Sequence, residues 1–159
     1  MIEQVCLTDA LLESAREVFE TMVFMDLAET TQPAQNIKRE ALSGSITFKG
    51  NLEGCLAICC STSCAQAIAA NMLGIDTAEQ LAKEDTCDAI GEIANMVMGS
   101  LKSRLLQTVG NLEVSIPSVV SGRDLRNDLG AGAEKTSVTV NIEDDYVAEL
   151  LLLYRENSR

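Results

Sequence analysis

The sequence predicts a domain of mixed α/β (α+β) class, with two long helices packed on a mostly antiparallel β-sheet. One apolar pattern of helical period lies near the N-terminus, and a longer one runs from about Glu84 to Val109. Short segments of alternating apolar and polar residues, joined by turn residues, predict hairpins over much of the rest. The length of 159 residues suits a single domain covering residues 1–159, and an apolar fraction of 47% suffices for its core.

The first predicted helix runs from about Asp9 to Leu27, with Thr8 as a plausible N-cap. Apolar residues recur along it at helical spacing: Leu11, Leu12, Ala15, Val18, Phe19, Met22 and Val23. The following segment, Glu29 to Arg39, is polar and contains Pro33, so we expect a loop there.

Further elements follow from turn and cap residues. Two strands, Gly44 to Lys49 and Gly54 to Cys60, flank a turn at Gly50-Asn51. The segment Ser61-Thr62-Ser63 caps a helix over Cys64 to Leu73, which Gly74 closes. We also expect the following elements: a short helix at Asp76 to Ala82, strands at Leu112 to Ile116 and Ser118 to Gly122, a mobile loop around Gly130 and Gly132, and a hairpin of Thr136 to Glu143 with Val147 to Tyr154.

Composition narrows the classes of function. A net charge of −12 provides no positive surface for nucleic-acid phosphates and disfavours anionic membranes. The absence of histidine excludes Ser-His and Cys-His catalysis and histidine-ligated metals. The N-terminus lacks the basic region of a secretory signal, and the longest apolar stretch (147–153) is too short to span a bilayer. We therefore expect a cytoplasmic protein.

Four of the six cysteines, Cys55, Cys59, Cys60 and Cys64, form the pattern C-x3-C-C-x3-C. Structural zinc sites favour C-x2-C pairs, and this spacing differs from them. Because Cys55 to Cys60 lies in an apolar run typical of a buried strand, we predict that these cysteines pack in the core. A metal or redox sensor remains the alternative hypothesis.

The long helix separates into two faces when its residues are placed 100° apart. One face carries the apolar residues Ile90, Ala94, Val97, Leu101 and Leu105; the other carries Asp88, Glu92, Asn95, Gly99 and Lys102. Asn and Gly in mid-helix each cost about 0.5–1 kcal/mol relative to Ala, and nothing about an exposed face requires them. Gly99 would let the backbone of a partner approach closely. The alternative is an ordinary solvated face, with Lys102 as a solubilising residue.

A family resemblance favours the functional interpretation. The segment Asp88-Ala-Ile-Gly-Glu92-Ile-Ala-Asn95 resembles the signature of the CheC/CheX/FliY phosphatases of bacterial chemotaxis. In that family the Asn is followed by a Pro, and here Pro117 follows Asn95 after twenty-one residues, one fewer than the usual spacing. Segments at Val18–Met22, Ser43–Ile46, Asn71–Gly74 and 115–122 are also similar to family members. The resemblance covers nearly the whole chain and implies a CheC-like fold.

The resemblance also implies an activity, hydrolysis of the phospho-aspartate of a CheY-like response regulator. It implies catalytic roles for Glu92, which would dock the receiver lysine, and Asn95, which would position the attacking water. Asp88, Gly99 and Pro117 are the expected partner-binding residues. We expect no metal or cofactor on this chain, because Mg²⁺ would be held by the receiver's carboxylates.

CheC-type members carry a second Glu-x-x-Asn motif in the first helix. Here the corresponding segment is Glu17-Val-Phe-Glu20, without Asn, so we expect one site, as in the CheX type that the sequence most resembles. We also expect a homodimer from the family likeness and from sheet edges that need cover. The alternative function within the superfamily is a non-catalytic receiver-binding or flagellar-switch module.

Overall fold

One antiparallel β-sheet and the helices packed on it make up the computed structural model, which describes residues 4–32, 40–76 and 81–157. The helices of this part are α1 (Gln4–Val18), α2 (Thr62–Leu73) and α3 (Lys83–Val109), and a π-helical turn (Phe19–Val23) continues α1. The strands are β1 (Leu27–Glu29), β2 (Ala41–Lys49), β3 (Leu52–Ser61), β4 (Glu113–Val114), β5 (Ser118–Gly122), β6 (Glu134–Ile142) and β7 (Tyr146–Glu156). The predicted α+β class is confirmed.

The strands are ordered β1-β6-β7-β3-β2-β4 across the sheet, and β5 pairs with β2 beside β4. Every pairing among the described strands is antiparallel. The two predicted hairpins are present, since β2 pairs with β3 around Gly50-Asn51 and β6 pairs with β7. Short strands therefore form both edges: β1 on one side, and β4 with β5 on the other.

The core lies between the sheet and the helices. Successive strand residues point to opposite faces, so one face of β3 carries Leu56, Ile58 and Cys60, which are at most 1% exposed. These side chains belong to one apolar cluster with residues of α1, α2 and α3. Among the described residues, no helix is long and apolar enough to cross a membrane.

The cysteine cluster divides between the faces of the sheet. Cys60 and Cys64 are fully buried in the core, as predicted. The prediction was wrong for Cys55 and Cys59, which lie half-buried on the opposite face of β3, outside the core cluster. Burial, and after it the charge of Glu149, raises the pKa of the Cys59 thiol to about 11. All four thiols are free. In the described part of the chain, no three Cys, Asp or Glu side chains come together as metal ligands.

The prediction for the first helix was wrong at both ends. The helix is already present at Gln4, so Thr8 lies inside it, and the α-helical part ends at Val18. The π-helical turn then ends at Val23, because its C-cap Phe24 has a left-handed backbone (φ 61°) that stops the helix. Leu27 belongs to β1. This stop could not be predicted from the residue type, because Phe seldom adopts positive φ. The predicted loop from Glu29 therefore begins one residue inside a strand.

Two shorter predictions also need correction. The short helix predicted at Asp76 to Ala82 is absent at Leu81 and Ala82, because Ala82 is the extended N-cap of α3. Its middle, residues 77–80, lies outside the described residues. The strand predicted at Leu112 to Ile116 is reduced to Glu113 and Val114, because pairing with β2 is limited to those residues.

Candidate functional site

The long helix α3 presents the two faces that its sequence predicts. Ile90, Ala94, Val97 and Leu101 are at most 1% exposed and Leu105 is 5% exposed, and all five belong to the core cluster. Their burial fixes the rotation of the helix about its axis. The opposite face is therefore held outward by packing over the whole length of α3.

The outward face brings the candidate residues together. Asp88, Glu92, Asn95 and Gly99 are all exposed and follow one another along successive turns. Side chains three apart on a helix have Cβ atoms about 5–6 Å apart, so Glu92 and Asn95 can touch the same group of a partner. Within the described structure, neither of these two side chains forms a hydrogen bond or an ion pair. Lys102, at the C-terminal end of this row of residues, is half-buried.

Two buried glycines set the depth of α3 on the sheet. A Cβ atom on Gly44 of β2 would lie 2.8 Å from Ile90 Cγ2 and 3.0 Å from the Ile90 carbonyl oxygen. A Cβ atom on Gly91 would lie 3.3 Å from Val119 Cγ2 of β5. Both contacts are at or inside the limit of normal packing, so these glycines let the helix backbone approach the strands closely. The positions of Glu92 and Asn95 depend on that approach.

Pro117 flanks the helix on the β5 side. It is half-buried, and its Cγ lies 3.7 Å from the position that a Cβ atom of Gly91 would take. The chain turns there from β4 into β5, next to Ile116, which is 87% exposed. Pro117 therefore lies beside the turn of α3 that precedes Glu92 and Asn95, where it shapes the adjoining segment.

Glu17, an acidic residue of the other long helix α1, has different surroundings from Glu92. The Glu17 carboxylate of α1 accepts hydrogen bonds from Ser100 Oγ at 2.7 Å and from Arg104 Nη2 at 2.9 Å, both on α3. These two hydrogen bonds, the one from Ser100 first, lower the pKa of Glu17. Glu17 thus fastens α1 to α3, while Glu20 is exposed.

Sequence reasoning missed Gly44, Gly91 and the Glu17 contacts. Gly91 lies inside the Asp88–Asn95 motif, and a glycine in the middle of a helix is itself a signal of close packing. Gly44 gave a weaker signal, since an isolated glycine in a strand also marks a close backbone approach. The Glu17 contacts gave none, because they depend on which residues of α3 lie beside α1.

The shape of this site limits its chemistry. Small-molecule sites are concave and bury most of their ligand, whereas Glu92 and Asn95 stand on the convex outer surface of a helix. A carboxylate and an amide on a ridge suit insertion into a cleft on another macromolecule. The amide supplies both a donor and an acceptor, and the carboxylate supplies charge. Within such a cleft the pair can therefore orient a water molecule and bind a cationic group of the partner.

Comparison with known proteins identifies the family. The sequence profile described as "Chemotaxis phosphatase CheX" matches residues 42–143. The "CheY-P phosphatase CheX" of Thermotoga maritima is 33% identical over 101 residues. The matched segment covers 64% of this chain and 64% of the Thermotoga protein.

Solved structures show the same fold over nearly the whole chain. The chemotaxis protein CheX of Vibrio vulnificus has a TM-score of 0.80 at 24% identity, over 98% of this chain and all of that one. A structure of the CheX-CheY-BeF3-Mg²⁺ complex of Borrelia burgdorferi gives a TM-score of 0.74 at 16% identity, over 98% and 100% of the two chains. With the profile match and the Thermotoga relative, these findings confirm the resemblance seen in the sequence. The chain belongs to the CheX family of chemotaxis phosphatases.

Proposed function

We propose that this protein hydrolyses the phospho-aspartate of a CheY-like receiver, with Asn95 and Glu92 as the catalytic residues. The observation that carries the proposal is the pair of unpartnered Glu92 and Asn95 side chains on the exposed ridge of α3. Family membership supports the substrate class. The Thermotoga relative is named a CheY-P phosphatase, and the Borrelia relative was crystallised with CheY, BeF3 and Mg²⁺. BeF3 stands in there for the phosphoryl group on the receiver aspartate.

Asn95 acts on the attacking water. Phosphoryl transfer from an acyl phosphate passes through a loose transition state, in which little bond has formed to the nucleophile. The water therefore needs orientation more than a strong base. The amide oxygen of Asn95 accepts a hydrogen bond from this water, and the amide N–H₂ donates to it or to a phosphoryl oxygen. The water oxygen bonds to phosphorus as the bond to the aspartate oxygen breaks, which releases the free carboxylate and inorganic phosphate.

Glu92 docks the receiver. One helical turn before Asn95, its carboxylate would be repelled by the phosphoryl group if it pointed at the group directly. A salt bridge with the lysine of the receiver's active site uses the same charge favourably, and it places Asn95 in line with the phosphorus. A charge-assisted contact of this kind contributes mainly to binding and orientation.

The metal required for this reaction belongs to the receiver. Mg²⁺ prefers carboxylate oxygens together with those of the phosphoryl group, and a receiver supplies both. In the proposed reaction this chain contributes no metal ligand and requires no cofactor of its own. Asp88, Gly99 and Pro117 lie around the two catalytic residues as contacts to the rim of the receiver's cleft.

We also propose that residues 1–159 function as one CheX-like domain in a cytoplasmic homodimer. The core cluster extends from Leu7 to Tyr154, which supports one folding unit. We infer a cytoplasmic location because a CheY-like receiver would be encountered there.

The homodimer is inferred from the edges of the sheet. The short edge strands β1, β4 and β5 leave backbone groups with which a second copy could pair. Light scattering at micromolar concentration tests the dimer, and a monomeric mass would contradict it.

The activity is tested with phosphorylated receivers. A panel of CheY-like receivers is phosphorylated with a small phosphodonor in Mg²⁺, and loss of the phosphoryl group is followed with and without this protein. We expect acceleration for at least one receiver, at substoichiometric amounts of the phosphatase. Binding of a receiver without any acceleration would instead indicate a non-catalytic receiver-binding module.

A further inference from the structure

A groove separates α1 from α3, immediately beside the exposed ridge of α3 that carries Asp88, Glu92 and Asn95 (the catalytic ridge). It has a volume of about 520 Å³. Val18, Thr21 and Met22 of α1 and its π-helical turn line one wall, and Met96 and Gly99 lie on the α3 side. Met22 is 50% exposed and Met96 is half-buried, so apolar surface is accessible to a partner within the groove.

The walls of the groove are fixed at several points. At its far end the Glu17 carboxylate binds Ser100 and Arg104 across the two helices. On the α1 side, Asn71 Nδ2 of α2 donates a hydrogen bond to the Val23 carbonyl oxygen at 3.2 Å, which holds the end of the π-helical turn. A short π-helix is a rare element that often lies at a functional site. The groove is therefore a preformed feature between two linked helices.

The charge of the groove also differs from that of its surroundings. The chain carries a net charge of −12, and the ridge beside the groove exposes the carboxylates of Asp88 and Glu92. Inside the groove, Glu17 and Arg104 neutralise one another, and the remaining lining residues are uncharged. A neutral, methionine-lined groove next to an acidic ridge suits an apolar side chain that lies close to a cation on the same partner.

The groove is continuous with the catalytic ridge. Met96 follows Asn95 directly, and Gly99 lies four residues beyond Asn95, about 6 Å along the helix axis. A Cβ atom on Gly99 would meet no atom within 4 Å, so the surface is open at that point. A receiver whose cleft takes in Glu92 and Asn95 would therefore also cover Gly99 and the mouth of the groove.

We propose that this groove is a specificity pocket, which binds an apolar side chain that the receiver presents beside its phospho-aspartate. The inference rests on the proposed function. Methionine side chains are flexible and polarisable, so Met22 and Met96 can adapt to residues of different shape. The groove thereby favours receivers that carry an apolar residue at that place, and it disfavours those that carry a charged one, since burying an unpaired charge is costly.

A second copy of this chain is the alternative occupant, and the geometry disfavours it. A stable interface buries about 800 Å² per partner, which is far more surface than one groove provides. A copy placed over this groove would extend across Gly99 and cover Asn95, so such a dimer would block its own site. The receiver has no such conflict.

Truncation of Met22 tests the proposal. Met22→Ala removes apolar surface from one wall, and Met22→Gln keeps the chain length but adds a polar group. The control is Leu106→Ala. Leu106 is 46% exposed and lies on the same helix as Asn95, but about 16 Å from Asn95 along the helix axis. Binding is measured to a CheY-like receiver loaded with BeF3⁻ and Mg²⁺, and turnover is measured on the phosphorylated receiver.

We expect both Met22 variants to raise the Kd and the KM about five- to tenfold, as for an interface side chain that fills a pocket, with kcat within twofold of the wild type. Leu106→Ala should match the wild type. Unchanged binding by Met22→Ala would overturn the groove proposal while the phosphatase activity stands. If the wild type bound the receiver without hydrolysing its phosphoryl group, the proposed activity would be wrong. The binding of the Met22 variants would then still decide whether the groove contacts the receiver. Loss of self-association with unchanged receiver binding would assign the groove to a second copy.

Discussion

The helices α1 and α3 lie side by side, and each exposes a glutamate, but the two glutamates have different surroundings. Glu17 of α1 is hydrogen-bonded to Ser100 and Arg104 of the neighbouring helix, and its pKa is lowered by them. Within the described structure, Glu92 of α3 has no partner. A carboxylate that already binds inside its own protein has little to offer another molecule, whereas an unpartnered one beside an exposed amide does. Among the described residues of these two helices, we therefore expect the site at Glu92 and Asn95 of α3 and none at Glu17.

The largest expected effect comes from replacing Asn95. Asn95→Ala removes the group that holds the attacking water, so we expect turnover to fall about a hundredfold or more. Binding to the BeF3⁻-loaded receiver should be retained, and stability should change by less than about 0.5 kcal/mol because the side chain is exposed. Single-turnover dephosphorylation, equilibrium binding and thermal melting measure the three quantities. Near-wild-type turnover would show that the catalytic assignment is wrong.

Replacing Glu92 should have a smaller effect, of a different kind. Glu92→Ala removes the proposed salt bridge with the receiver lysine, so we expect binding to weaken about tenfold and turnover to fall with it. Salt screens such contacts, so the wild-type complex should weaken between low and high salt more steeply than the Glu92→Ala complex. Titrations at two salt concentrations test this. Parallel salt dependence would indicate that Glu92 makes no ionic contact.

Replacing either of the two glycines of α3 with alanine should have a still smaller effect, and the stabilities of the two variants can be compared directly. A Cβ atom on Gly99 would meet nothing within 4 Å, so Gly99→Ala should stabilise the isolated protein by about 0.5–1 kcal/mol. Gly91→Ala should lack this gain, because its Cβ would crowd Val119 at 3.3 Å. Urea denaturation compares the variants. If Gly99→Ala also weakens receiver binding, the glycine serves close approach of the partner.

The smallest effect concerns Glu17, the partnered glutamate. We expect Glu17→Ala to lower the melting temperature slightly at neutral pH, because the contact is exposed and such pairs contribute little. A lowered pKa in the folded state means that this contribution is present above the ordinary value of 4.5 and is lost as the pH falls through the lowered pKa. The difference in melting temperature from the wild type should therefore shrink in acid. A constant difference between pH 7 and pH 3 would contradict the role of Glu17 as an ionised link.

The sequence alone predicted much of the fold and the face that carries the candidate site. The period of Ile90, Ala94, Val97 and Leu101 fixes the buried side of α3, because apolar side chains must leave water and a helix repeats every 3.6 residues. Alternation and turn residues predicted both hairpins for the same reason. The family resemblance identified Glu92 and Asn95 among the exposed residues, which periodicity could not do.

Only the tertiary structure decided the depth of α3, the end of the first helix and the groove. Gly44 contacts Ile90, and Glu17 contacts Ser100 and Arg104, across separations of 46 and more than 80 residues. No local pattern encodes such pairs, because each side chain has the same propensity whichever neighbour it meets. Phe24 likewise adopts a left-handed backbone that its own preference opposes, while Asn71 holds the preceding carbonyl group. Local physics set which residues are buried, and the packing of distant segments set what lies beside them.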